Sequence, residues 1–121
     1  MSKKLEAAYG YYNRKYFGGL LPKISVRWSN DLPDGRIKGH KEIQFAEFNW
    51  SSADPNDGEI LLAAWMRSYN AIWRMHLLHE MSHVQLREDS AEIKSSCYTH
   101  SRKWKKVMRD LAAAGAFDNL W

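Results

Sequence analysis

The stretch Leu77-Leu78-His79-Glu80-Met81-Ser82-His83 combines a helical period with a reactive side-chain pattern. Around it, Ile72, Trp73, His76, Leu77, Glu80, Val84 and Arg87 recur at helical spacing, which predicts a helix from about Ser68 to Arg87. Several of these inward positions hold polar groups, unlike an ordinary core stripe. Side chains four apart on a helix lie one above the other. His79 and His83 can therefore offer two imidazole nitrogens to one divalent ion. Glu80 falls one step round the helix, beside such an ion rather than on it, where it can take a proton from a water on the metal. The competing reading is an ordinary helix with two half-buried, hydrogen-bonded histidines.

A catalytic zinc site takes three protein ligands and leaves one position to water. His100 is the best third candidate, because it opens the next amphipathic segment and that segment can turn back toward the first. Helix capping or solvent exposure is its plainer role. Glu88, Asp89 and Glu92 are rivals, since a carboxylate serves in some zinc sites. His76, one turn before the motif, reads as pocket lining. His40 lies in a turn-rich stretch and nothing ties it to the others.

Outward from this helix, four further features organise the chain. Leu5, Tyr9, Tyr12 and Tyr16 form one stripe of a helix from about Lys3 to Phe17, closed by Gly18-Gly19. Ile24, Val26 and Trp28 alternate with Ser25 and Arg27, the period of a half-buried strand. Further strands are expected at Arg36 to Lys38 and at Glu42 to Phe48, with Ile43, Phe45 and Phe48 facing the core. Asp54-Pro55-Asn56-Asp57-Gly58 is the strongest turn signal, and Glu59 to Ala63 reads as a strand or as the start of the next helix. A last helix is expected from about His100 to Ala114, with Trp104, Met108, Leu111 and Ala112 on one stripe and Gly115 closing it.

The chain has 121 residues, 45% hydrophobic and 26% charged, which suits one globular domain over 1–121 and excludes a disordered tail or a collagen-like repeat. Cys97 is the single cysteine, so neither an intrachain disulfide nor an all-cysteine metal site can form; it reads as a packing residue. No apolar run approaches a membrane span and no apolar core follows Lys3-Lys4, so a cytoplasmic address is expected; a monomer is expected as well. Six tryptophans and six tyrosines are expected to supply much of the core. The net charge of +4 permits a polyanion partner without requiring one.

The ordered set of motifs resembles the SprT-like family of zinc metallopeptidase domains, which includes Spartan among its eukaryotic relatives. Tyr12-Asn13-Arg14-Lys15-Tyr16-Phe17-Gly18-Gly19-Leu20-Leu21-Pro22 looks like the family's opening helix and its ending. Ile24-Ser25-Val26-Arg27-Trp28-Ser29 is similar to its first strand, and Glu59-Ile60-Leu61-Leu62 to the strand before its catalytic helix, which favours the strand reading there. Leu77 to His83 looks like "L-L-H-E-x-x-H", and His100-Ser101-Arg102-Lys103-Trp104 resembles the "H-G-x-x-F" that supplies the third ligand. The resemblance implies Zn2+ on His79, His83 and His100, with Glu80 as general base. Ser101 stands where the family has glycine, and the cysteine-rich zinc ribbon of many members cannot be built from one cysteine.

The expected fold is α+β and zincin-like. A small sheet of 3–4 strands packs against an N-terminal helix, the H-E-x-x-H helix and a C-terminal helix. The expected activity is peptide-bond hydrolysis, with DNA-bound or DNA-crosslinked proteins as candidate substrates, since relatives cleave proteins crosslinked to DNA. The alternative is a non-catalytic, zinc-stabilised DNA- or protein-binding module. Arg102, Lys103, Lys105, Lys106 and Arg109 crowd the last helix. They read either as a solvated face or as a single-stranded DNA contact, with Trp50 available to stack on bases. A peptide substrate is expected to add to a strand edge in Glu42 to Phe48 or in Ile60 to Ala63.

Overall fold

The computed structural model describes residues 3–31, 45–51, 54–86 and 102–118. Helix α1 runs over Lys3–Tyr16, and its expected stripe is the one that packs: Leu5, Tyr9 and Tyr12 are buried, with Tyr16 half-buried against them. Gly18 and Gly19 then take φ values of 63° and 72°, the left-handed region that L side chains avoid. The returning chain is held to α1 by Asn13, whose Nδ2 donates to the Leu21 carbonyl at 3.0 Å and whose Oδ1 accepts from the Leu21 N–H at 3.0 Å. The Tyr9 hydroxyl adds a bond to the Pro22 carbonyl at 2.6 Å. These bonds aim the chain into strand β1, Ser25–Ser29.

Strands β2 (Ala46–Ser51) and β3 (Asp54–Ala63) complete a three-stranded sheet in the order β1-β3-β2. β1 runs parallel to β3, pairing Val26 with Ile60, and β2 runs antiparallel to it, pairing Phe48 with Ile60. β3 is therefore the middle strand, which explains the unbroken apolar run Ile60-Leu61-Leu62-Ala63: all four residues are buried. It also removes Ile60 to Ala63 as a substrate edge, because both sides of that strand are paired.

The turn signal at Asp54 to Gly58 is not where the chain turns. Trp50 pairs with Gly58 while Ser51 pairs with Asp54, so the intervening residues of β3 bulge out of the ladder. Such an irregularity tolerates Pro55, which the regular ladder of a strand would not. The expected strand at Arg36 to Lys38, together with Glu42 and Ile43, lies outside the described residues.

A 3₁₀ turn, Ala64–Ser68, leads into helix α2, Asn70–Gln85. Trp73, Leu77, Leu78 and Met81 of α2 are fully buried and Val84 nearly so. Helix α3, Arg102–Ala113, lies against α2 and buries Leu111. Ala112, expected on the same stripe, is exposed instead. Its carbonyl accepts from the Gly115 N–H at 3.1 Å, while the Ala116 N–H reaches the Leu111 carbonyl at 2.9 Å. This paired closure, with Gly115 at φ 83°, stops the helix and brings Ala116 into the core beside Leu111.

Among the described residues Tyr9, Tyr12 and Trp73 are buried in the core, as expected of its aromatic share, but the other tryptophans are less so. Trp73 is fully buried, its indole N–H donating to Asn70 Oδ1 at 3.1 Å, but Trp28 and Trp104 are half-buried and Trp65 is 45% exposed. A buried indole N–H usually finds an acceptor, as that of Trp73 does. The architecture is α+β, with three helices and a small mixed sheet among the described residues. No helix of these residues is long and apolar enough to cross a membrane.

Candidate metal centre

His79 and His83 stand on successive turns of α2, where Leu77, Leu78, Met81 and Val84 anchor the helix in the core. Both imidazoles are half-buried, with ring centroids 5.1 Å apart and Nε2 atoms 3.3 Å apart. Two nitrogens on one tetrahedral zinc at about 2.0–2.1 Å are separated by about 3.3 Å. The pair thus has two chemical uses: one Nε2–H can donate to the other nitrogen, or both lone pairs can point at one cation. Two imidazole nitrogens at this spacing have the separation that two ligands of one tetrahedral zinc would have.

Trp104 of α3 packs over both rings, 4.7 Å from His79 and 5.7 Å from His83, and is nearly parallel to the latter, with 20° between planes. A second tie between the two helices lies just below. The Ser82 hydroxyl sits 3.0 Å from the Leu78 carbonyl and 3.4 Å from Met108 Sδ.

Glu80 is 6% exposed. Burial first, and the neighbouring charge of Glu47 second, push its carboxyl up to about 8. A carboxyl in that range can give up and take back a proton near neutral pH, as a general acid–base group must. Glu47 belongs to β2, so this electrostatic neighbour is supplied by the sheet.

His76, one turn before His79, stacks on Phe45 with centroids 4.8 Å apart and planes 13° apart. Burial holds its pKa below the ordinary histidine value.

His100, the rivals Glu88, Asp89 and Glu92, and also Ser101, His40 and Cys97 lie outside the described residues. Among the described residues no group of three or more His, Cys, Asp or Glu side chains could hold a metal ion. From the expected set the structure brings together His79 and His83, with Glu80 buried on the same helix. The basic residues Arg102, Lys103, Lys105, Lys106 and Arg109 are exposed on α3, with Lys106 Nζ 3.2 Å from Asp110 Oδ2.

Three contributors were not legible in the motif itself: Trp104 over the imidazoles, Phe45 behind His76, and Glu47 near Glu80. Trp104 had one usable signal, its place four residues after the candidate ligand His100. Phe45 and Glu47 had none, because their approach depends on β2 crossing α2.

Comparison with curated proteins and with solved structures finds no match. The model of the SprT-like family, in contrast, matches residues 5–119. That match takes in α1, the three strands, the helix bearing His79 and His83, and the helix bearing Trp104, and the chain belongs to the SprT-like family.

Proposed function

We propose that this chain is a zinc-dependent peptidase with a zincin-like arrangement, in which His79, His83 and His100 hold the metal and Glu80 is the general base. The observation that carries the reading is the 3.3 Å approach of the two Nε2 atoms on the helix that also carries the buried Glu80. Sequence position supports His100 as the third ligand. α3 begins two residues after it, and Trp104 of that helix packs on both other histidines.

Zinc, when bound, acidifies a water and polarises a carbonyl. The remaining work belongs to side chains of this chain. The imidazoles keep their Nε2 lone pairs turned to one point because α2 is fixed by its buried face. Trp104 keeps water from one side of the pair. Glu80 accepts the proton of the attacking water on a carboxylate oxygen and passes it to the leaving amine.

Metal analysis and a peptide-cleavage assay test the assignment together. Glu80→Gln is expected to retain zinc and lose turnover by at least about a thousandfold. His79→Ala is expected to lose both. Undiminished cleavage by the Glu80→Gln chain with normal metal content would remove Glu80 from its role. A fourth protein ligand in the metal-loaded chain would favour the non-catalytic zinc-stabilised module instead.

DNA-bound proteins as substrates are part of the same proposal, supported by the five exposed cations of α3. If that face meets phosphates, affinity for a single-stranded oligonucleotide falls steeply with salt, and reversing Lys103 and Lys105 to Glu lowers the salt slope. Absence of binding at low salt would dismiss it.

A further inference from the structure

The ring contacts around the histidines continue past them. His76 stands 6.4 Å from His79, Phe45 lies flat on His76, and Trp65 meets Phe45 edge-on at 5.5 Å. Tyr69 meets Trp65 at 6.1 Å. A line of rings therefore runs from the candidate metal ligands to the N-terminal end of α2.

The far end of this line is open. Trp65 is 45% and Tyr69 54% exposed, although Met66 of the same 3₁₀ turn is fully buried and already anchors it. Core packing does not account for two large rings turned outward and touching each other. Leaving them in water forgoes the free energy their burial would supply, on the order of 25 cal/mol per Å². Contiguous exposed apolar surface beside a reactive site is a common form of binding platform. Phe45 fixes its inner margin: its carbonyl accepts from the Ala63 N–H at 2.8 Å, which extends the β2–β3 ladder by one residue.

Charge decides the class of occupant. Glu47 is two residues along the same strand from Phe45 and so shares its side. A polyphosphate laid across these rings would bring its negative charges against that carboxylate, whereas a peptide backbone, which carries no net charge, would not be repelled by it. The cations of α3 lie on the other helix, beyond Trp104. An extended peptide advances about 3.3 Å per residue, so a side chain resting on Trp65 lies within roughly five residues of a bond held at the histidines.

We propose that Phe45, Trp65 and Tyr69 form a specificity subsite for a large apolar or aromatic side chain of an extended peptide whose backbone lies at the His79–His83 pair. The inference rests on the peptidase reading above and names the substrate feature selected by that site.

The test uses the full, zinc-loaded chain and two peptides that differ only in bearing Phe or Ala at one position, scanned over the five residues either side of the cleaved bond. The wild type is expected to prefer the Phe peptide at one register by about tenfold or more in kcat/KM, mainly through KM. Trp65→Ala collapses that ratio, Trp65→Phe restores most of it, and Tyr69→Ala lowers it partly. Tyr11→Ala, which removes an equally exposed ring from α1, leaves it unchanged. Equal preference in the wild type and Trp65→Ala overturns the subsite while leaving the hydrolase intact.

A second arm needs no turnover. In the Glu80→Gln chain, Phe-peptide binding is read as a shift in tryptophan fluorescence that is lost in the Glu80→Gln, Trp65→Ala double variant. A Trp65-dependent shift without cleavage by the wild type supports the subsite and removes the peptidase. A shift produced by a single-stranded oligonucleotide and not by the peptide overturns the assignment to peptide.

Discussion

The indole of Trp104 lies nearly parallel to the imidazole of His83, 20° between planes and 5.7 Å between centroids, although the two belong to different helices. His79 touches the same indole at 4.7 Å. A flat ring that spans both imidazoles restricts their rotation, so the cost of ordering two ligands is met by packing before any cation arrives.

Trp104→Ala is therefore expected to weaken zinc affinity by about 10–100-fold, the range found when groups supporting metal ligands are removed. Trp104→Phe retains most of the affinity. Competition with a chromophoric chelator measures both, and unaltered affinity in Trp104→Ala would show that the imidazoles are ordered by other means.

The metal-free chain is expected to lose stability as pH rises through the range between the unfolded and folded values of Glu80. Its carboxyl titrates near 4.5 when unfolded and near 8 when folded, so the unfolded state releases its proton first and the penalty grows from about pH 4.5 to about pH 8. At pH 7 the cost is on the order of 3 kcal/mol. His76 acts in the opposite sense: its lowered folded value makes protonation favour the unfolded state as pH falls below the ordinary histidine range. Urea unfolding of the metal-free chain across pH 5–9 reads both. Glu80→Gln should flatten the alkaline side, and an unchanged slope there would show that the carboxyl is solvated.

Asn13→Ala is expected to destabilise the fold by about 1–3 kcal/mol. It removes two hydrogen bonds to the backbone of Leu21, a buried residue, and leaves that N–H and carbonyl without their side-chain partners. Asn13→Asp keeps the acceptor for the Leu21 N–H and loses the donor, so it should fall between the two. Chemical denaturation with a shared m-value checks the order.

Sequence alone determined the local elements whose periods are unambiguous. α1 followed from its tyrosine stripe and paired glycines, β1 from strict alternation, and α2 from the spacing that places His79 above His83. A helix brings residues four apart together by its own hydrogen bonds, so the imidazoles of His79 and His83 could be placed side by side without any knowledge of the rest of the chain. The tertiary structure decided what requires contact between segments distant in sequence. It made β3 the middle strand, drew the Asp54 to Gly58 cluster into a bulge, set Glu47 near Glu80 and laid Trp104 over the histidines. No local period carries such information. Strand order and helix crossing are set by which apolar faces best exclude water together, and that sum is taken over the whole core at once.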